Sequence, residues 1–219
     1  MASSDMPAEL GAMIEAGLAA GREIRASWLQ RRAQDSCPAS GAGADANAMV
    51  EKSNTADLQT ETDRKCEELV RDKLQETFPG YLFIGEEEVA ENDGKFELTD
   101  AKTFVIDPID GTTNFVHTMY ACACLIALMD QREVVQGVIV NPIEREIFFS
   151  WKNGGAWVQQ LSEDLACVGE PKRLSTSGTK EPSRSVVASD IGYRRDPEGV
   201  DAFQRLQRGL LIVNRIRGL

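Results

Sequence analysis

The sequence has fewer basic than acidic residues, a single histidine and no long apolar run. Its 24 lysines and arginines stand against 35 aspartates and glutamates, for a formal net charge of −11. A chain of this charge lacks the basic surface that nucleic acid binding requires. No apolar stretch approaches the roughly 20 residues that span a bilayer, and the amino terminus carries no recognisable secretory signal. We therefore expect neither a nucleic-acid partner nor a membrane partner.

Cysteines that pair or bind zinc are also missing. The five cysteines are odd in number and show no metal-ligand spacing. Such a set is typical of reduced thiols, which predicts a cytoplasmic protein. Cys122 and Cys124 alternate within an apolar stretch, so both side chains lie on one face of a strand. We interpret these two as buried core residues rather than as zinc or redox ligands.

Two helices are predicted in the first 80 residues. Apolar side chains recur with helical spacing over about 8–32 and again over about 60–78, where Pro79 and Gly80 end the pattern. Between these segments, residues 36–48 are rich in small residues without periodicity, which predicts a mobile loop.

Short β-type runs follow the helices. Turn-forming residues separate the later runs, with hairpins predicted at 130–133 and 141–145. This order predicts an α+β fold in which helices pack on a mainly antiparallel sheet. The runs cover residues 81–84, 103–106, 121–129, 134–140, 146–150 and 156–158.

The domain organisation is predicted from the later part of the chain. An amino-terminal α+β domain would cover residues 1–184, and a second α/β domain would begin at 185–219 and remain incomplete. In this second part, we expect a strand over 185–189, a helix over 201–211 and the start of a further strand over 211–213.

Acidic residues gather where two of these runs end. Asp107 and Asp110 follow the run that ends at residue 106, where Pro108 blocks further strand pairing. Glu86 opens an acidic triplet directly after the run at 81–84, and a sheet would bring it towards Asp107. Carboxylates together with the Ile109 carbonyl are the oxygen ligands that Mg²⁺ prefers. The alternative reading of the triplet is a solvated turn.

The residues after Asp110 predict an anion site beside these ligands. Gly111 permits a tight turn, and Thr112 opens a short helix whose free N–H groups would bind an anion. Upstream, Thr60 and Asp63 lie in a polar, partly loop-like stretch and, taken alone, are typical helix-capping residues.

These segments, taken together and in this order, resemble the inositol monophosphatase family. The resemblance covers about residues 8–219, with extra residues around 36–48 and 162–171. The segments that carry it are Lys52…Ala56-Asp57-Leu58…Thr62-Asp63, Ile84-Gly85-Glu86-Glu87, Asp107-Pro-Ile-Asp-Gly-Thr-Thr-Asn-Phe-Val-His117 and Asn153-Gly-Gly-Ala156.

The resemblance implies a layered α/β sandwich and a Mg²⁺-dependent, lithium-sensitive hydrolase of small phosphate monoesters, inositol monophosphate first. Histidinol phosphate or another small sugar phosphate is the alternative substrate. A complete site would hold two or three Mg²⁺ ions. Glu86, Asp107 and the Ile109 carbonyl would bind the first ion, and Asp107 with Asp110 the second. Homodimerisation is common in the family.

The resemblance also implies roles for residues around the metals. Thr112, bonded to Asp63, would orient the attacking water with Glu86, and substrate would contact Ile109, Asp110, Gly111 and Thr112. Glu87 would support the metal ligands, and Lys52 would mark a mobile loop near the site. The family pattern gives His117 no catalytic role, and we interpret it as a structural or surface residue.

Family members continue beyond the segment that matches Arg217–Leu219, to an aspartate that completes the second metal site. The expectation is therefore that this chain is truncated, and one alternative is a non-catalytic module for metal binding or dimerisation. A haloacid-dehalogenase-like mechanism is another alternative, but it requires an Asp-x-Asp spacing. A regulatory Ca²⁺ site is a third, although the EF-hand spacing is missing.

Overall fold

Two long helices, α1 (Ala8–Asp35) and α2 (Ala48–Thr77), precede the first strand. The structure is a computed structural model that describes residues 6–35, 48–184, 186–189 and 215–218. α1 turns one stripe inward, on which Leu10, Met13 and Ile24 are fully buried. This is the helical periodicity read from the sequence, and the prediction of the first helix is confirmed.

Seven strands of the described chain form one sheet in sequential order, β1 to β7. β1 and β2 pair in parallel, and every later neighbour pairs antiparallel. The predicted α+β sandwich with a mainly antiparallel sheet is confirmed. The strands are β1 (Leu82–Gly85), β2 (Thr103–Asp110), β3 (Ala123–Asp130), β4 (Glu133–Asn141), β5 (Glu146–Trp151), β6 (Gly155–Leu161) and β7 (Cys167–Leu174).

The core lies between the two helices and one face of this sheet. α1 packs on the middle strands and α2 packs on β2 and on α1. Buried residues alternate along β3, as expected for a strand with one face packed. Cys124 on β3 and Cys122 just before the strand are both buried, as predicted. The other face carries an apolar groove of about 450 Å³ that includes Leu125, Ile139 and Phe148.

Two glycines bring α1 close to the sheet. A Cβ added at Gly17 or at Gly21 would lie 3.0 Å from a methyl group of Val140 on β4. Real Cβ atoms rarely tolerate so short an approach, because interiors are already close-packed. The glycines therefore set the distance between the helix and the strands.

Two short helices interrupt the strands near their ends. α3 (Glu86–Glu91) follows β1 directly, and α4 (Thr112–Val116) follows β2. The acidic triplet therefore forms the first turn of a helix, in which Glu86 and Glu88 are exposed. None of the helices in the described residues is both long and apolar enough to cross a bilayer.

Two predicted boundaries are wrong, and one strand was missed. α2 begins at Ala48, so residues 52–63 are helical and neither Thr60 nor Asp63 caps the helix. Periodicity indicated only the packed part of α2, because residues 51–57 are mostly polar, although they lack Pro and Gly. β2 continues to Asp110 rather than stopping at residue 106, and the polar strand β7 was not predicted. Residues 36–47 of the predicted mobile loop lie outside the described residues.

The chain divides into two units, Met1–Leu174 and Ser175–Leu219. In the second unit, a 3₁₀ turn at Pro182–Arg184 precedes β8 (Val186–Ser189), which pairs in parallel with β9 (Arg215–Gly218). The predicted strand is confirmed over 186–189, and β9 was not predicted. The helix predicted over 201–211 and the strand over 211–213 lie outside the described residues. The domain boundary after residue 184 stays a prediction.

Candidate functional site

The parallel pairing of β1 and β2 brings Glu86 beside Asp107. Gly85 is in register with Ile106, so the next residue of each strand leaves the pair at the same level. The side chain of Glu86 raises the pKa of Asp107, which indicates that the two carboxyl groups lie close together. The prediction that a sheet brings these two residues together is confirmed, whereas their roles as ligands stay predictions.

A β-bulge in β2 brings Asp110 to the same face as Asp107. Asp107 pairs with Leu125 and Asp110 with Ala123, so three steps along β2 correspond to two along β3. In a regular strand, residues three apart point to opposite faces, and one extra residue restores the same face. Pro108 lies inside this bulge, where the ladder needs no N–H from it.

Gly111 makes the turn from β2 into α4. Its φ is +82°, and an added Cβ would lie 2.6 Å from the Ala121 carbonyl oxygen. Both the left-handed backbone and the lack of space require glycine here. The next residue, Thr112, donates from its Oγ1 to the Ile109 carbonyl oxygen at 3.1 Å. The first N–H groups of a helix have no partner within the helix, so this turn is suited to an anion.

Asp63 reaches the same region from α2. It is almost fully buried, with 3% of its surface exposed. Burial and then the negative charges of Glu87 and Glu86 raise the pKa of Asp63 to about 7, although the Arg31 guanidinium acts in the opposite direction. Because the Thr112 hydroxyl proton is directed to Ile109, the bond between Asp63 and Thr112 that the family pattern implies stays a prediction.

Asp107 lies in the most unfavourable surroundings for a carboxylate. Burial raises its pKa first, and the hydrogen bond with Glu86 and the charges of Glu86, Asp110 and Asp63 raise it further. Like charges gathered at a half-buried position disfavour the ionised form. A cation at this place would remove the repulsion that the carboxylates exert on one another.

The residues at this place fit a hard divalent cation by their donor atoms. The Oδ1 atom of Asp107 is buried and has no hydrogen-bond partner in the described part of the chain, which is rare for a buried polar atom. The neighbouring acids offer carboxylate oxygens and Ile109 a carbonyl oxygen, which are the donor types that Mg²⁺ prefers. Across the described residues, however, no three acidic, histidine or cysteine side chains already converge as metal ligands. Coordination would therefore require these carboxylates to draw together.

The structure also gives the positions of the other residues singled out from the sequence. Glu87 is half-buried, and burial followed by the charges of Glu67 and Glu86 raises its pKa. Lys52 lies within α2 rather than in a loop. His117 is exposed at the carboxyl end of α4, in agreement with a surface histidine.

Two buried charged residues were missed from the sequence. Glu67 lies one turn after Asp63 on α2, and its Oε2 accepts a hydrogen bond from the Glu87 backbone N–H at 2.9 Å. Arg31 on α1 is 5% exposed, and its guanidinium carbon lies 4.9 Å from the centre of the Phe115 ring. The available signal for Glu67 was a carboxylate on the apolar face of α2, between Cys66 and Val70.

Carboxylates whose oxygens suit a metal ion lie where two strands of the sheet end, and this arrangement defines a class of metal-dependent proteins. Comparison with known proteins leads to the same class. The sequence profile of the inositol monophosphatase family matches residues 12–211. The chain belongs to the inositol monophosphatase family.

Individual relatives agree with this membership. The chain is 37% identical over 169 residues to inositol monophosphatase 2 of Solanum lycopersicum, covering 77% of this chain and 60% of the relative. It is 35% identical over 176 residues to inositol monophosphatase 1 of Xenopus laevis, covering 80% of this chain and 58% of the relative. The chain thus spans about 60% of the length of these relatives.

Solved structures show the same fold. The extragenic suppressor protein suhB of Bartonella henselae superposes with a TM-score of 0.67 at 25% identity, covering 97% of this chain and 70% of that one. SuhB of Mycobacterium tuberculosis superposes with a TM-score of 0.69 at 21% identity, over 98% of this chain and 70% of that one. The second likeness concerns the fold alone.

Proposed function

We propose that this chain carries the metal-binding part of a Mg²⁺-dependent phosphatase that hydrolyses a small phosphate monoester, with inositol monophosphate as the first candidate. The buried, unpartnered Oδ1 of Asp107 is the observation that carries the proposal, because it lies among oxygen donors of like charge. The relatives named inositol monophosphatase support the substrate class. Histidinol phosphate and other small sugar phosphates are the alternative substrates.

The proposed ligands are the carboxylates of Glu86, Asp107 and Asp110 and the carbonyl of Ile109. When bound, Mg²⁺ would supply the positive charge that activates a water molecule and offsets the charge of the leaving oxygen. Ile109 accepts a hydrogen bond from Thr112, but a carbonyl oxygen has a second lone pair for a ligand. Two or three ions in a complete site follow from the family pattern.

The residues next to these ligands would bind and orient the reactants. The N–H groups of Gly111 and Thr112 at the start of α4 are suited to phosphate oxygens. The Thr112 hydroxyl lies beside the Ile109 carbonyl, where it would orient water for attack on phosphorus. Asp63, with its raised pKa, would hold a proton close to neutral pH. Water and the ester give an alcohol and inorganic phosphate.

We also propose a lithium-sensitive homodimer in the cytoplasm. The family supports the dimer and the lithium sensitivity. The cysteines at 66, 122, 124 and 167 are free, which supports a reducing compartment.

Metal binding and catalysis are best tested separately. Mn²⁺ can stand in for Mg²⁺, because the signal of free Mn²⁺ in electron paramagnetic resonance falls when the ion binds. We expect the chain to bind Mn²⁺, Asp107→Asn to lose this binding, and Asp72→Asn, an exposed aspartate on α2, to retain it. Equal binding by Asp107→Asn would contradict the proposed site.

Release of inorganic phosphate then tests the activity. Inositol monophosphate, histidinol phosphate and glucose 6-phosphate are compared with Mg²⁺ present, and Li⁺ is added as an inhibitor. We expect Mg²⁺-dependent release that Asp107→Asn abolishes. Metal binding without release from any ester would favour the non-catalytic module instead, an alternative that the partial coverage of the relatives motivates.

A further inference from the structure

Glu67 contacts the turn that carries Glu86. This glutamate lies on α2, with 6% of its surface exposed, and its Oε2 accepts a hydrogen bond from the Glu87 N–H at 2.9 Å. The Glu88 backbone also lowers the pKa of the Glu67 carboxylate. The amide group that directly follows Glu86 is therefore held by a side chain from another helix.

The preceding residue, Gly85, leaves space for this carboxylate. A Cβ at Gly85 would lie only 2.1 Å from Oε1 of Glu67. The backbone of Gly85 has φ −103° and ψ 147°, an extended conformation that any residue adopts. The glycine is therefore required by the approach of Glu67 and not by its backbone angles.

Arg71 supports this arrangement from the next turn of α2. Its guanidinium lies 3.9 Å from Oε1 of Glu67 and is hydrogen-bonded to the Glu88 carboxylate. The same group lies over the Phe83 ring, with its central carbon 5.4 Å from the ring centre. α2 thus contacts the chain on both sides of Glu86, through Phe83 before it and Glu88 after it.

A buried carboxylate contributes little to the stability of a fold. Taking a charge out of water costs several kcal/mol, and a buried ion pair often contributes no more than an apolar pair of the same volume. Burial indeed raises the pKa of Glu67 despite the hydrogen bond from the Glu87 N–H. What Glu67 supplies, and an apolar residue would not, is a fixed backbone path through Gly85, Glu86 and Glu87.

We propose that Glu67 is a positioning residue that fixes the Gly85–Glu87 turn and thereby holds the Glu86 carboxylate against Asp107. The proposal deepens the proposed function, on which its consequence for metal binding rests. The hydrogen bond itself is present in the chain without metal, so one part of the test is independent of that function.

The test compares Glu67→Ala with Glu67→Gln in the full chain. Glutamine keeps an oxygen that accepts from Glu87 N–H but removes the charge. Amide hydrogen exchange, followed by nuclear magnetic resonance without metal, should quicken at Glu87 in Glu67→Ala and stay slow in Glu67→Gln. Mn²⁺ affinity should fall by about 10–100-fold in Glu67→Ala, the usual range for groups that orient metal ligands, and remain largely intact in Glu67→Gln.

Glu68→Ala is the matched control, because it removes the same charge from an exposed neighbouring position on α2. Unchanged exchange at Glu87 in Glu67→Ala would overturn the proposal, as would equal losses of Mn²⁺ affinity in Glu67→Ala and Glu67→Gln, since affinity would then follow charge alone. If the unaltered chain binds no Mn²⁺, the proposed function fails, whereas amide exchange still decides on Glu67.

Gly85→Ala gives a second route that keeps Glu67 in place. Its added methyl group would push the Glu67 carboxylate away from the turn, so we expect faster exchange at Glu87 and weaker Mn²⁺ binding. Gly80→Ala is the control, because an added Cβ there has no atom within 4 Å among the described residues. Slow exchange at Glu87 in Gly85→Ala would contradict the proposed contact even if Glu67→Ala does not fold.

Discussion

At the beginning of β1 and β2, a carboxylate lies beside a positively charged side chain. At their end, several carboxylates lie beside one another. At the beginning, Glu9 accepts hydrogen bonds from Lys102 Nζ at 2.7 Å and from the Tyr81 hydroxyl at 2.9 Å. At the end, the side chain of Glu86 and the charges of Asp110 and Asp63 raise the pKa of Asp107. The same parallel register produces both ends, since it aligns the residues before the strands as well as those after them.

The pKa values of the acids follow this difference. Burial would raise the pKa of Glu9, but hydrogen bonds from Lys102, its own backbone and Tyr81 outweigh burial and lower it to about 2. At the other end, the pKa of Asp63 is raised to about 7 because burial and neighbouring charges act together. The interactions at the beginning of the β1–β2 strand pair therefore stabilise the fold. At the end of the strand pair, the carboxylates repel one another, and a bound cation would neutralise their charge.

The largest effect on stability is expected from the aromatic cluster at the beginning of β1 and β2. Phe104 is fully buried, and its ring centre lies 5.5 Å from those of Tyr81 and Phe83. Phe104→Ala should lower the free energy of unfolding by about 3–5 kcal/mol, because it removes a buried ring and leaves a cavity. Urea unfolding followed by circular dichroism measures this change.

Phe96→Ala is the control for Phe104→Ala. Phe96 is 62% exposed, so its loss should change stability by no more than about 0.5 kcal/mol. Comparable losses for both variants would break the comparison, since stability would not then be concentrated at the buried beginning of the strands.

The second effect concerns the end with gathered carboxylates. Mg²⁺ at a hundred times its dissociation constant should raise the free energy of unfolding by about 2.7 kcal/mol, since it binds only the folded chain. The unfolding temperature should therefore rise with Mg²⁺ concentration, and Asp107→Asn should abolish the rise.

Asp72→Asn again serves as the control, because this exposed residue should leave the response to Mg²⁺ unchanged. NaCl at matched ionic strength separates specific binding from screening. A rise of equal size with NaCl, or in Asp107→Asn, would show that general charge screening and not a site relieves the repulsion.

The sequence predicted the residues at the end of the strands better than the geometry that joins them. An acid after each of two β-type runs was enough to expect that a sheet brings Glu86 towards Asp107, but the sequence did not show that these two strands pair in parallel. The bulge was missed because Pro108 indicated a strand end. A single sequence does not show that β2 has an extra residue opposite the segment from Leu125 to Ala123 of β3. Bulges depend on the partner strand as much as on the bulged one.

The long-range partners were beyond sequence reasoning for a related reason. Glu67 and Glu9 lie on helices, 20 residues from Glu87 and 93 residues from Lys102 respectively. Local patterns assign each to a helix but give no information on which strand end it reaches. The amino end of α2 was missed because periodicity reports burial, and residues 51–57 of α2 are mostly polar.

The smallest effect is expected from Glu9→Gln, which removes the opposite-charge pair at the beginning of the strands. Lys102 is 39% exposed, so solvent screens the pair, and the variant should lose only about 1 kcal/mol at pH 7. Because the folded pKa of Glu9 lies at about 2 against an ordinary 4.5, its contribution is complete above pH 4.5 and is lost as the pH falls towards 2. Urea unfolding at pH 7, 4.5 and 2.5 should therefore show a difference between the unaltered chain and Glu9→Gln that shrinks at the lowest pH.

Glu76→Gln, an exposed site on α2, should show no such difference. If the difference in free energy of unfolding stays constant down to pH 2.5, Glu9 acts through packing and not through its charge. Only the gathered carboxylates at the end of the strands would then distinguish the two ends by charge.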